Sequence, residues 1–100
     1  MFNIGDRVRI LSWEELIEKW GKPNLSGDIL IKHDTVRVYF NHDMRILCDH
    51  VDTIREISKF KCTGTSLLFE HLQTKWNITT DMVELVTKTI NENELMELML

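Results

Sequence analysis

The chain has 100 residues, of which 43% are hydrophobic and 28% are charged, and this balance is typical of a folded globular protein rather than a disordered one. A net charge of −4 argues against a dedicated DNA-binding domain, because such domains usually carry a basic excess. No apolar stretch approaches the roughly 18 residues that span a bilayer, and residues 1–10 lack a signal-peptide pattern. We therefore expect one domain, without a membrane segment, in the cytoplasm of the cell that makes it.

The N-terminal residues predict a strand followed by a short helix. Val8 and Ile10 alternate with arginines, which indicates a strand with one buried and one exposed face. Ser12 as N-cap and Glu15 three residues later form a capping-box pattern, so the helix begins there. Gly21 is expected to end it.

The middle of the chain predicts short strands separated by turns. We expect strands over residues 29–31, 36–40, 51–57, 60–63, 66–70 and 76–78. Asn41 is expected to cap a second short helix, and residues 79–81 a single helical turn. Many short strands favour a small, strongly bent sheet or barrel, so the predicted fold class is mainly β (α+β) with short helical additions.

The C-terminal residues predict a helix of a different kind. Asn91 is a candidate N-cap, and five of the last six residues are apolar, so a helix over residues 92–100 has to bury most of its surface. It can pack on its own domain, dock on a partner or pair with a second copy, which leaves monomer and homodimer open. We divide the single domain, residues 1–100, into a barrel with helical insertions (1–86) and a helical tail (87–100).

A series of short motifs follows one order along the chain. It begins with Gly5-Asp6-Arg7-Val8-Arg9-Ile10 and Ser12-Trp13-Glu14, and continues with Gly27-Asp28-Ile29, Phe40 with Met44, Leu47-Cys48, Val51 with Thr53-Ile54, and Trp76 before Thr80-Asp81-Met82. In these motifs the chain resembles a group of small phage- and prophage-encoded proteins. The resemblance implies an SH3-like β-barrel and a mobile-element origin, hence a bacterial host cell. Where the group's pattern places Gly after the cysteine, this chain has Asp49-His50.

The resemblance also implies a function. Small acidic phage proteins without enzymatic motifs are often inhibitors of host machinery, including anti-CRISPR proteins that block Cas nucleases. We therefore expect a non-enzymatic inhibitor that binds a host protein, such as the CRISPR effector Cas9, and opposes nucleic-acid loading at its positively charged channel. Because the net charge of residues 81–100 is also −4, the expected partner-binding residues are Asp81, Glu84, Glu92, Glu94 and Glu97.

Two cysteines and their histidine neighbours form a candidate zinc site. Cys48 and His50 lie two residues apart, and Cys62 with His71 can complete a tetrahedral set, with His42 as a substitute for His71. The alternative is that Cys48 is a buried structural cysteine, since free cysteine is among the most buried residue types. The pair Cys48 and His50 lacks a third orienting group, so we do not expect a catalytic nucleophile.

A nucleic-acid-binding or architectural module is the alternative function. Cations at alternating strand positions can share the exposed face of the barrel and contact phosphates: Arg7, Arg9, Arg37, Arg55, Lys59 and Lys61. Given the acidic total, we favour a solvated face with scattered cations, and direct nucleic-acid binding is the less favoured expectation.

The zinc hypothesis is tested by Cys62→Ser. If Cys62 is a ligand, the zinc content of the purified protein should fall from about one per chain, as expected for a structural site. Unchanged stoichiometry by elemental analysis would exclude this ligand set.

Overall fold

The computed structural model describes residues 2–33, 36–60 and 64–86. In chain order the elements are β1 (Arg7–Ile10), α1 (Trp13–Trp20), β2 (Ile29–His33), β3 (Val36–Phe40), a 3₁₀ helix (His42–Leu47), β4 (Val51–Phe60), β5 (Gly64–Phe69), β6 (Ile78–Thr79), a second 3₁₀ helix (Thr80–Met82) and β7 (Val83–Leu85). The described part of the chain is therefore mainly β, as predicted. It contains no helix long and apolar enough to cross a membrane.

The larger sheet has five antiparallel strands in the order β6-β5-β4-β1-β7. Its long central strand, β4, changes register with β5 between Ile54 and Glu56, which marks a β-bulge. The described strands do not form the predicted closed barrel, because β6 and β7 are the two edges of an open sheet. Closure requires edge strands that pair, and these edges are only 2 and 3 residues long.

The second sheet is a two-stranded hairpin of β2 and β3, paired from Ile29 opposite Phe40 to His33 opposite Val36. Ile29, Ile31 and Phe40 lie on one face and are fully buried. This face turns inward because β2 packs against α1. The opposite face of the hairpin, which carries alternate residues, points to solvent.

The core confirms the alternation predicted for the first strand. Val8 and Ile10 of β1 are buried, together with Leu16 of α1 and Ile54 of β4. Three tryptophans, Trp13, Trp20 and Trp76, are partly buried and pack against this cluster. The tryptophan side chains thus lie at the periphery of the core, whereas Phe40 is fully buried within it.

The helix boundaries also follow the sequence pattern. The hydroxyl of Ser12 accepts a hydrogen bond from the amide of Glu15, and the Glu15 carboxylate accepts one from the amide of Ser12, which completes the capping box. Gly21, with φ of 106°, follows the last turn. Asn41 caps the next helix as predicted, and that helix is of the 3₁₀ type.

Some predicted segments differ from the observed strands, and others lie outside the described residues. The expected break before residue 60 is wrong, because β4 continues through Phe60. The strand expected over 76–78 is shorter and later, at Ile78–Thr79. Residues 61–63 and the tail helix predicted over 92–100 lie outside the described residues.

We predict that Ser12→Ala lowers the free energy of unfolding by about 1 kcal/mol, because it removes the acceptor of the capping box. The midpoint of urea-induced unfolding measures this change. Ser26→Ala is the matched control, since Ser26 is exposed and its backbone amide, not its hydroxyl, forms the local hydrogen bond. Equal midpoints for the two variants would contradict a stabilising role for the cap.

Candidate functional site

Arg9 lies at the centre of a cluster of carboxylates on the exposed side of β1. Its Nη1 and Nη2 donate to the two oxygens of Glu15, each at 2.8 Å. Nη1 also donates to Asp49 at 2.7 Å, and Nη2 donates to Glu84 at 2.5 Å. One guanidinium therefore holds carboxylates from α1, from the turn before β4 and from β7.

The position of each carboxylate beside Arg9 follows from the element that carries it. Glu15 is the capping-box residue of the first turn of α1, which starts two residues after β1 ends. Glu84 stands directly opposite Arg9 in the β1–β7 pairing. Asp49 has a φ of 67°, a left-handed conformation that Asp tolerates better than most residues.

The electrostatics of the cluster favour ionised groups. Hydrogen bonding to Arg9, reinforced by the Ser12 amide, lowers the pKa of Glu15 to about 2. Hydrogen bonding to Glu15 and then to Glu84 raises the pKa of Arg9 further above its ordinary value. The side chains of Asp49 and Glu84 stay 64% and 50% exposed, so their outer oxygens are accessible to a partner.

We name this surface the acidic face and define it as Glu15, Glu18, Asp49 and Glu84. Glu18 belongs to it because it lines a shallow depression together with Glu15, Lys19 and Glu84. The four carboxylates outnumber the cations among them, Arg9 and Lys19, so the acidic face is negative at neutral pH. Of its members, the sequence analysis predicted only Glu84.

Asp81, the other predicted partner-binding residue in the described part, lies beside a different surface. It lines an open groove of about 630 Å³, whose apolar wall includes Phe2, Ile57 and Val83. Its backbone carbonyl accepts a hydrogen bond from the indole N–H of Trp20 at 3.4 Å. The predicted contact residues Glu92, Glu94 and Glu97 lie outside the described residues.

A second cluster forms around the buried carboxylate of Asp52. Its side chain is 1% exposed and lies 2.9 Å from His50 Nε2 and 3.1 Å from His71 Nδ1. It also accepts hydrogen bonds from three backbone amides, those of Thr53, His71 and Leu72. Asp52 therefore ties the start of β4 to the segment that follows β5.

Asp52 is ionised in spite of its burial. Burial raises its pKa, but the hydrogen bonds from His50, the Thr53 amide, His71 and the Leu72 amide outweigh this effect and hold the pKa well below its ordinary value. A saturated carboxylate of this kind is a structural anchor, because each donor would lose its partner if the charge were removed.

The predicted zinc ligands are only partly brought together. His50 and His71 meet at Asp52, whereas Cys62 lies outside the described residues. Within the described ranges, no three His, Cys, Asp or Glu side chains are placed to hold a metal ion. His42, the proposed substitute, instead lies beside Asp28 at 3.1 Å and Asp43 at 3.3 Å. Zinc binding stays a prediction.

Cys48 is half-buried after the first 3₁₀ helix. Burial is the main reason that the pKa of its thiol is raised, and the nearby carboxylate of Asp49 adds to this effect. A raised pKa disfavours the free thiolate that nucleophilic catalysis requires. The half-buried position of Cys48 is compatible with a structural cysteine.

The predicted basic face of the barrel loses one of its members. Arg9 is surrounded by three carboxylates and presents no free positive charge. Arg7 and Arg55 remain exposed on the sheet, while Arg37 lies on the separate hairpin. The six predicted cations therefore do not all lie on one surface, since Arg37 belongs to the hairpin, and Lys61 lies outside the described residues.

The sequence carried a local signal for only one of the two clusters, that of Asp52. Asp52 and Ile54 occupy alternate, inward-facing positions of β4, and an acid at such a position indicates a buried, hydrogen-bonded carboxylate. The pairing of Arg9 with Asp49 and Glu84 joins residues 40 and 75 positions apart, which no local pattern indicates.

Comparisons with known proteins add nothing to this picture: no protein-family model matches the chain, and neither curated proteins nor solved structures give a match.

We predict that Asp52→Asn lowers the free energy of unfolding at pH 7 by about 3 kcal/mol, because the amide group cannot accept all the hydrogen bonds of the buried carboxylate. Chemical denaturation measures the loss. Asp43→Asn is the matched control, since the side chain of Asp43 is 66% exposed, and should change stability little.

The same carboxylate predicts a pH dependence. Because the pKa of Asp52 is lower in the folded protein, ionised Asp52 stabilises the fold above its unfolded pKa of about 3.9, and this contribution disappears as the pH falls below that value. The difference between the wild type and Asp52→Asn should therefore shrink as the pH falls below about 3.9. A difference independent of pH would contradict an ionised Asp52.

Proposed function

We propose that this chain is a non-enzymatic inhibitor of phage origin that binds a host protein, such as the CRISPR effector nuclease Cas9, and opposes its nucleic-acid loading. The observation that supports this proposal best is the acidic face. It places four carboxylates on adjoining elements and leaves two of them at least half exposed.

Arg9 gives the acidic face a fixed geometry. The bidentate pair with Glu15 orients the guanidinium, which in turn positions Asp49 and Glu84. Carboxylates held in place lose less conformational entropy on binding than carboxylates on free side chains. A fixed negative surface is suited to a basic partner surface, where complementary potentials accelerate encounter and select the partner.

A positively charged nucleic-acid channel is one such partner surface. Cas9-type effectors hold the guide–target heteroduplex in a channel of this kind, so an acidic ligand competes there with phosphates. The predicted contact residues of the tail, Glu92, Glu94 and Glu97, lie outside the described residues and carry the same sign of charge as the acidic face.

We also propose that the chain has no enzymatic activity. Asp52 with His71 has the connectivity of an acid–base dyad, and His71 is 78% exposed. However, the Asp52 carboxylate also accepts hydrogen bonds from three backbone amides, and this favours a structural role for the pair. The half-buried thiol of Cys48, with its raised pKa, is likewise unsuited to nucleophilic attack.

We further propose that the five-stranded sheet is bent in the SH3-like manner implied by the sequence resemblance. The long β4 pairs with β1 up to Thr53 and with β5 from Ile54 onward, and its bulge follows directly, between Ile54 and Glu56. Strands pass from one sheet to another at such bulges, so β4 can serve both halves of a folded-over sheet.

We predict that the double variant Asp49→Asn with Glu84→Gln weakens binding to a Cas9-type effector by about tenfold or more, because it removes two charges from the contact surface. The measurements are equilibrium binding and inhibition of DNA cleavage by the purified effector. Glu15 still pairs with Arg9 in this variant, so the fold should persist, which a thermal melt checks.

Glu70→Gln is the matched control, because Glu70 is exposed and lies outside the acidic face. It should inhibit as well as the wild type. If the double variant inhibits equally well, or if the wild type does not bind the effector at all, the proposed function is wrong in its mechanism or in its target.

A further inference from the structure

The outer face of the β2–β3 hairpin carries two cations directly opposite each other. Lys32 of β2 pairs with Arg37 of β3 in the register, and both side chains are exposed. The next pair on the same face is Leu30 with Tyr39, and Tyr39 is 54% exposed. We name these four residues the hairpin face.

The opposed cations are unfavourable in the protein alone. Like charges at directly opposite strand positions repel each other. Neither Lys32 nor Arg37 forms an ion pair with another residue of the described ranges 2–33, 36–60 and 64–86. The fold does not need them, because the hairpin is anchored by its other face, where Ile29, Ile31 and Phe40 are fully buried.

An exposed aromatic ring, that of Tyr39, lies on the same face as the two cations. Tyr39 follows Arg37 by two positions on β3, so the two side chains stand on the same face about 7 Å apart along the strand. Cations beside an exposed ring form the combination with which proteins bind single-stranded nucleic acid: phosphates contact the cations and a base stacks on the ring. An acidic peptide would use the cations but would gain little from the ring.

We propose that the hairpin face binds a single-stranded nucleic acid, with Lys32 and Arg37 contacting its phosphates and Tyr39 stacking on a base. This surface goes beyond the proposed function and does not depend on it. The acidic face is built from α1, β1, β7 and the turn before β4, whereas the hairpin face is the outer side of the second sheet. Each surface is complementary to a different half of a protein–nucleic-acid complex.

The test is fluorescence anisotropy with a labelled single-stranded oligonucleotide of about 15 nucleotides, close to the upper site size of small single-strand binders. Binding by the full chain should weaken steeply with salt. The double variant Lys32→Ala with Arg37→Ala should reduce the slope of log K against log salt by about 1.4, or about 0.7 for each phosphate contact. Tyr39→Ala should weaken binding about tenfold, whereas Tyr39→Phe should bind like the wild type because the ring face remains.

A thermal melt separates binding from folding. Since the double variant removes a repulsive pair, its melting temperature should equal or exceed that of the wild type while its affinity falls. Arg55→Ala with Lys59→Ala is the matched control, because it removes two exposed cations from β4 and should leave binding unchanged.

Three results would overturn the proposal. The first is no binding by the wild type at low salt. The second is an equal loss in the Arg55 and Lys59 control, which would indicate non-specific attraction. The third is competition by polyglutamate that matches competition by the oligonucleotide, with Tyr39→Ala unaffected, which would identify an acidic protein as the partner. None of these results bears on the acidic face, which is tested separately with the effector.

Discussion

The ion pairs of Arg9 connect the elements that surround β1. A single guanidinium binds carboxylates from α1, from the turn before β4 and from β7, so the position of each element constrains the others. Exposed ion pairs contribute little stability individually, whereas Val8 and Ile10 on the other face of β1 are buried in the core and contribute through the hydrophobic effect. What the network adds is orientation, and the acidic face depends on that orientation.

Asp52 has the corresponding role on the buried side of the sheet. Its carboxylate accepts hydrogen bonds from the amide of Thr53 in β4 and from the amides of His71 and Leu72 after β5. These bonds fix where the chain turns back toward β6. The carboxylates are used differently because their surroundings differ. Asp52 is satisfied internally, while Asp49 and Glu84 keep exposed oxygens. Together with the hairpin face, this separates negative and positive surfaces on one small domain.

The sequence predicted what is decided locally. The capping box of Ser12 and Glu15 and the alternation of Val8 and Ile10 each involve residues a few positions apart, and both are confirmed. The extension of β4 to Phe60 and the meeting of Arg9 with Glu84 depend on which strands pair, a property that local patterns do not specify. Only residue type indicates the zinc ligands, because local patterns do not show which side chains meet. In the structure, the rings of His50 and His71 contact the Asp52 carboxylate instead of Cys48.

The most direct test of a host-protein target is an affinity capture from bacterial host lysate, with and without nuclease treatment, read by mass spectrometry. We expect one host protein to be retained by the wild type after nuclease treatment and to be lost when Asp49 and Glu84 are neutralised. If every captured protein disappears after nuclease treatment, the chain reaches proteins only through nucleic acid, and a direct inhibitor of a host protein is contradicted.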